Sequence, residues 1–235
     1  LPPARPARRV RQNAATANAA RFEAAMAARD GDAISAQVAD RSEIIDHPTG
    51  SVYDRQAQLP TWLSLARAQD GTYRNEPLAT LGHSLALCWQ SVSASALASG
   101  KFDVGAYEIK NILLIEVDPQ GQRRRTEVFA ADRLGDAVVR FYQRYADLLA
   151  EGPERARAAA TARAVAAPLG PCDLDRMTAS WSPSVELVDR RFVGFGSVSG
   201  LQAARAALGA LFETTENMVN RVDDVLGLCP DAVLL

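Results

Sequence analysis

YEIKNILLIEVDPQGQRRRTEVF, residues 107–129, is the stretch on which the fold turns. It reads as two long antiparallel strands joined at Asp118-Pro119-Gln120-Gly121. Pro119 presets its own φ and Gly121 tolerates positive φ, so both suit a tight turn. Ile109, Leu113, Ile115 and Val117 share one face of the first strand. Ile112 and Leu114 lie on the other, among Glu108, Lys110 and Glu116. A strand apolar on both faces at its middle is usually covered on both sides. The chain's own helices are expected to supply one cover. A second subunit meeting Ile112 and Leu114 is expected to supply the other, making a homodimer through the sheet face.

Outward from the hairpin, residues 132–151 repeat Leu134, Val138, Phe141, Tyr145 and Leu148 at helical spacing, which predicts a closing helix ended by Gly152-Pro153. Upstream, residues 73–81 and 84–98 read as strands around Gly82-His83. Residues 11–29 carry a helical stripe of Ala15, Ala19, Phe22 and Met26, with Asn13 as N-cap. Asp30-Gly31-Asp32 stops that helix and starts a short one over 33–39. Residues 43–46 predict a strand, broken by His47-Pro48-Thr49-Gly50. A third helix is expected over 54–69, its true start pushed to Leu59–Thr61 by Pro60. The fold class is therefore α+β, one curved antiparallel sheet wrapped over helices.

The remaining third echoes the first. Asp30-Gly31-Asp32 returns as Asp173-Leu174-Asp175, and Glu43-Ile44-Ile45-Asp46 as Glu186-Leu187-Val188-Asp189. PLATLGHSLAL at 77–87 matches VLGLCPDAVLL at 225–235. A near-fixed offset with one insertion marks a repeat. The expected organisation is a linker at 1–10, a complete module at 11–152, a linker with a degraded first helix at 153–172, and a partial second module at 173–235.

Composition narrows the function classes. The 235 residues, 48% hydrophobic, are ample for a core. A net charge of −2 and a pI near 5.8 argue against a general nucleic-acid binder. Cys88, Cys172 and Cys229 are scattered with no CxxC pair, which fits buried thiols in a reducing, cytoplasmic setting. No apolar run reaches the roughly 18 residues of a membrane span, so no membrane partner is expected. The Pro/Arg-rich start LPPARPARRVRQ lacks the apolar core of a secretory signal and reads as a linker cut from something longer. No phosphate-cradling glycine loop, nucleophile elbow or metal-ligand cluster is present, so neither cofactor nor metal is expected.

Few residues suggest chemistry. Asp46-His47, at the end of a strand, would suit a general base and its orienting partner near neutral pH. Equally, Asp46 caps the turn and His47 is solvated. Tyr53, Trp62, Tyr73, Trp89 and Tyr107 are candidate ligand-binding residues, or else core and sheet packing. His83 reads as an exposed turn residue. Arg123, Arg124 and Arg125 alternate in direction and read as a solvated edge rather than a patch.

The helix ending ARFEAAMAARDGDAISAQVA, the break EIIDHP, the segment LATLGHSLALCWQSV and the strand pair ILLIEVDPQGQRRRTEVF together resemble the nuclear transport factor 2-like superfamily, which includes the SnoaL-like polyketide cyclases. More narrowly, GHSLALCW, EIKNILLIEVDPQGQ and VFAADRLGDAVVRFYQRYADLLAEG look like tandem modules at the C-terminal ends of large actinobacterial regulatory proteins with cyclase-like or ATPase domains. The resemblance implies a cone-shaped pocket with Asp46 or His47 near its mouth. It implies a non-catalytic ligand- or partner-binding and dimerisation module. The alternative it leaves open is an acid–base enzyme acting on a small apolar carbonyl compound.

Overall fold

A computed structural model describes residues 10–235 except 69, 96, 100–101, 105, 171–172, 192–193 and 215–219, with backbone alone for 97–99 and 102–104. The expectations for the N-terminal linker ahead of Val10 and for Cys172 fall outside the described residues. From the N-terminus run α1 (Ala14–Ala28), α2 (Gly31–Ala36), β1 (Val38–Asp46), β2 (Ser51–Asp54), α3 (Arg55–Arg67), β3 (Thr72–Leu81) and β4 (Leu85–Ala94). The short pair β5 (Leu97–Ser99) and β6 (Phe102–Val104) follows, then β7 (Tyr107–Val117), β8 (Arg123–Ala130) and α4 (Leu134–Leu148).

β7 and β8 form the expected hairpin. Asp118 Oδ1 accepts from the backbone N–H of Gln120 and Gln122 at 3.0 and 2.9 Å, an Asx-type closure of the turn. Gly121 takes φ 76°, a left-handed value that favours glycine. The sheet runs β2-β1-β8-β7-β4-β3. Every pairing in it is antiparallel except β1 with β8, which is parallel.

On the inner face, α1 starts with a reciprocal cap. Thr16 N–H donates to Asn13 Oδ1, and Asn13 N–H donates to Thr16 Oγ1. Ala15 and Ala19 of α1 then pack on Ala86, Cys88, Leu113 and Ile115. Several boundaries differ from the sequence reading, two of them for a visible local reason. β1 starts at Val38 because Arg123 N–H bonds Gln37 O at 2.8 Å and draws the chain into the sheet early. α3 starts at Arg55, where Asp54 Oδ1 caps Ala57 N–H, and Pro60 sits inside the helix at the cost of one backbone bond.

The outer face carries Ile112 and Leu114, both fully buried. Leu134, Ala137, Val138, Phe141 and Tyr142 of α4 lie over them. The cover expected from a second subunit is thus the chain's own closing helix. Beyond it come α5 (Pro153–Leu169), α6 (Leu174–Thr178), β9 (Glu186–Val188), β10 (Ser197–Ser199), α7 (Leu201–Glu213), β11 (Gly227–Cys229) and β12 (Ala232–Leu234). Residues 153–169, expected to be a linker with a degraded first helix, are one continuous helix with Pro153 at its first position, where a missing N–H costs nothing. Ala162 and Val165 of α5, with Val225, join the core under α4.

The order α5-α6-β9-β10-α7-β11-β12 repeats α1-α2-β1-β2-α3-β3-β4. The echoed aspartates do the same job: Asp30 caps α2 and Asp173 caps α6. A partial second copy of the α+β module therefore follows the first. Of the apolar residues it must bury, Leu208 is buried, and Trp181, Leu187, Leu211 and Phe212 are half-buried; Phe192 lies outside the described residues.

Tyr142 fastens the end of the second copy to the first. Its hydroxyl lies 2.7 Å from both Cys229 O and Ala232 O, at the β11–β12 turn. Burial pushes the phenol well above its ordinary range. Tyr142→Phe leaves two carbonyls without this donor and is expected to cost about 1–2 kcal/mol. Amide exchange confined to residues 227–234 should quicken first. Unchanged exchange there would contradict the fastening role.

Candidate functional site

A cavity of about 330 Å³ opens on the inner face between α1, α3, β1 and the β8-β7-β4 strands. That volume is at the low end of the roughly 300–1,000 Å³ of small-molecule sites. Val38, Ile44, Leu113 and Val128 supply aliphatic wall from three strands. Tyr53 and Trp62, both expected to bind ligand, line it from β2 and α3. Phe22 meets the Trp62 ring edge-on at 5.8 Å, and Tyr73 closes the cluster 5.1 Å from Phe22.

A polar network forms the floor. Gln90 Nε2 and Arg123 Nη1 both donate to Tyr73 Oη, at 3.2 and 3.4 Å. Asn111 Nδ2 donates to Gln90 Oε1 at 3.3 Å. Arg123 Nε donates to Asn18 Oδ1 at 2.7 Å, and its guanidinium lies 4.2 Å from the centre of the Phe22 ring. Asn18 is itself fixed, donating through Nδ2 to Gln37 O and Gly121 O at 3.0 Å each.

Arg123 corrects the expectation of a solvated edge: it is 5% exposed. The cause is a bulge. β7 pairs Glu116 with Arg125 and Val117 with Arg123, so Arg124 has no partner across the strand. Alternation back from the cavity-lining Val128 and Thr126 would otherwise turn Arg124 inward. The extra residue turns Arg123 inward instead.

Asp46 and His47 are parted by the same alternation. Asp46 lines the cavity, and its Oδ1 accepts from Thr49 N–H at 3.1 Å, capping the turn. His47 faces the other side of the sheet. Its ring stacks on Phe129 at 4.2 Å, and Nε2 lies 2.9 Å from Glu127 Oε2. The expected acid–base pair is therefore not assembled. Trp89 also departs from expectation: it packs with the outer core under α4. Tyr107 packs beside the inner aromatic cluster without lining the cavity. His83 is exposed, as its turn position suggests.

The outer face holds a charge network that sequence reasoning missed. Glu127 has a fully buried side chain and receives Arg140 at 2.9 Å and Arg125 at 2.8 Å besides His47. Arg125 also pairs with Glu43. Glu116, equally buried, receives Arg124 and, at 2.5 Å, Arg144. Burial works against ionising Glu127, but hydrogen bonds from Arg140, Arg125 and His47 outweigh it and hold the carboxyl at about 2. Cys88 is the reverse case: burial, only partly offset by the Arg123 charge, pushes its thiol up to about 12. Among the described residues no group of three or more His, Cys, Asp or Glu side chains is placed to hold a metal ion. No described helix is long and apolar enough to cross a membrane.

No protein-family model matches the chain, and no curated protein does. Solved structures do. AusH from Aspergillus nidulans is 10% identical at TM-score 0.40, over 52% of this chain and 86% of that one. The epoxide hydrolase/cyclase-like enzyme SalBIII, described in pyran ring formation in the polyether salinomycin, is 19% identical at TM-score 0.39, over 48% and 88%. RV0760c from Mycobacterium tuberculosis, solved with estradiol-17beta-hemisuccinate, is 17% identical at TM-score 0.41, over 50% and 93%. A structure from Mesorhizobium loti described as NTF2-like is 16% identical at TM-score 0.38, over 49% and 89%. Each of these likenesses covers about half of this chain.

Proposed function

We propose that the chain is a non-catalytic module that binds a small, largely apolar ligand in the inner-face cavity. The observation that carries this is the cavity itself, walled by aromatic and aliphatic side chains over a hydrogen-bonding floor. That is the composition of sites that bury a small organic molecule and orient it with a few polar groups. The separation of Asp46 from His47 favours binding over acid–base chemistry. The setting we assign is a larger, cytoplasmic regulatory protein with such modules in tandem, on the repeated element order and the sequence resemblance. Native mass spectrometry of the purified chain tests the binding reading. A reproducible non-protein mass, displaced when Trp62→Ala opens the aromatic wall, is the expected result. A chain that carries no adduct and takes up no apolar probe would sink it.

Asp46 supports one other reading, an enzyme acting on a small apolar carbonyl compound, because its carboxylate borders the cavity. Wild-type chain that exchanges α-protons of a bound ketone with D2O, and Asp46→Asn that does not, would replace the first reading by this one.

A further inference from the structure

We propose that the cavity is a site for an organic anion: a monocarboxylate with a small apolar body, its carboxylate held by Arg123 Nη2 and Ser42 Oγ. This deepens the ligand-binding reading and rests on it. Arg123 and Ser42 both line the cavity and are 5% and 6% exposed. Arg123 Nη2 and Ser42 Oγ have no hydrogen-bond partner. Every contact Arg123 does make is with a neutral group: Asn18, the Tyr73 hydroxyl and the Phe22 ring.

The contrast across the sheet is sharp. Arg124, Arg125, Arg140 and Arg144 all reach Glu116 or Glu127. Among the described residues no carboxylate pairs with Arg123. A guanidinium withdrawn from water without a counter-charge is costly, so the site favours whatever anion can enter. With Nε on Asn18 and Nη1 on the Tyr73 hydroxyl, Nη2 is the donor left for a charge-assisted bond to a carboxylate. Asn18, pinned by two carbonyls, holds Nε in place, so the guanidinium is set before a ligand arrives.

The acidic residues of the cavity wall do not compete for it. Glu43 is engaged by Arg125, and Asp46 by the Thr49 N–H. Asp46 lies level with Val128, about 15 Å along the strand from Arg123. It repels an anion from that end and leaves the Arg123 end as the seat. Phe22, Trp62 and Leu113 then receive the apolar body.

The test is calorimetric titration of the full chain with 2-naphthoate and 2-naphthamide, nearly isosteric probes of which one is charged at neutral pH. Naphthoate is expected to bind at least tenfold more tightly. Arg123→Met should abolish that preference while naphthamide still binds. Ser42→Ala, a smaller change, should weaken naphthoate several-fold and keeps the idea testable if Arg123→Met does not fold. Equal affinities for the two probes, or a preference that survives these substitutions, overturn the anion assignment alone. Binding of neither probe overturns the ligand-binding reading, and this one with it.

Discussion

Replacing Glu127 by glutamine is expected to lower the stability of the chain by about 3 kcal/mol. The substitution keeps the size of the side chain and removes only its charge. Arg125, Arg140 and His47 would then face a neutral amide in place of a buried carboxylate. Breaking a buried pair costs about 3–5 kcal/mol. The lower end applies because the Arg125 and Arg140 side chains keep 20% and 27% exposure, and water takes back part of their charge. For a chain of this length that corresponds to a fall in melting temperature of roughly 6–12 °C.

The same residue sets an acid limit. Glu127 titrates at about 2 in the folded chain against an ordinary 4.5. The unfolded chain therefore takes up this proton first as pH falls. The stabilisation is full above about pH 4.5 and is lost on the way down to about pH 2, on the order of 3 kcal/mol in all. Urea midpoints of the wild type should drop steeply across that window, and those of Glu127→Gln should drop less. Parallel profiles would show that the carboxylate contributes nothing in the folded state.

Leu114→Ala is expected to cost about 3 kcal/mol without changing the mass of the particle in solution. Leu114 is fully buried between the sheet and α4, so truncation leaves a hole that the helix can close only in part. Light scattering alongside denaturant unfolding separates two outcomes. A lower midpoint at constant mass is what an internal core residue gives. A dissociating dimer would instead restore Leu114 to the interface suggested by the apolar pattern of its strand.

That pattern shows how far the sequence could be read. Apolar residues on both faces of β7 correctly demanded two covers, and the stripe in residues 132–151 supplied one of the helices. Periodicity says that a face is buried, not by what, so α4 and a second subunit were indistinguishable as lids. The tight turn at residues 118–121 and the Asn13 cap were legible because each is a local signal, and the aspartate echo because it recurs at a near-fixed offset. β2 was missed because it is an edge strand with Val52 62% exposed, and exposed strands carry no alternation. Trp89 was misplaced for a related reason: alternation grouped it with Leu85 and Leu87 but could not say which face held the cavity. Asp46 and His47, neighbours in sequence, were read as partners where strand geometry sends successive side chains apart. Arg123 was hidden by the bulge, since one unpaired residue inverts every assignment upstream of it.

The bulge also bears on how the cavity tolerates change. Arg124 holds the unpaired position, and arginines stand on both sides of it. Were the strand to lose its irregularity, the inward place would pass from Arg123 to Arg124, one guanidinium for another. The charge of the floor is thus written redundantly, as a run rather than as a single letter. Slippage or a one-codon deletion within that run would alter its anchoring to Asn18 before it altered its sign.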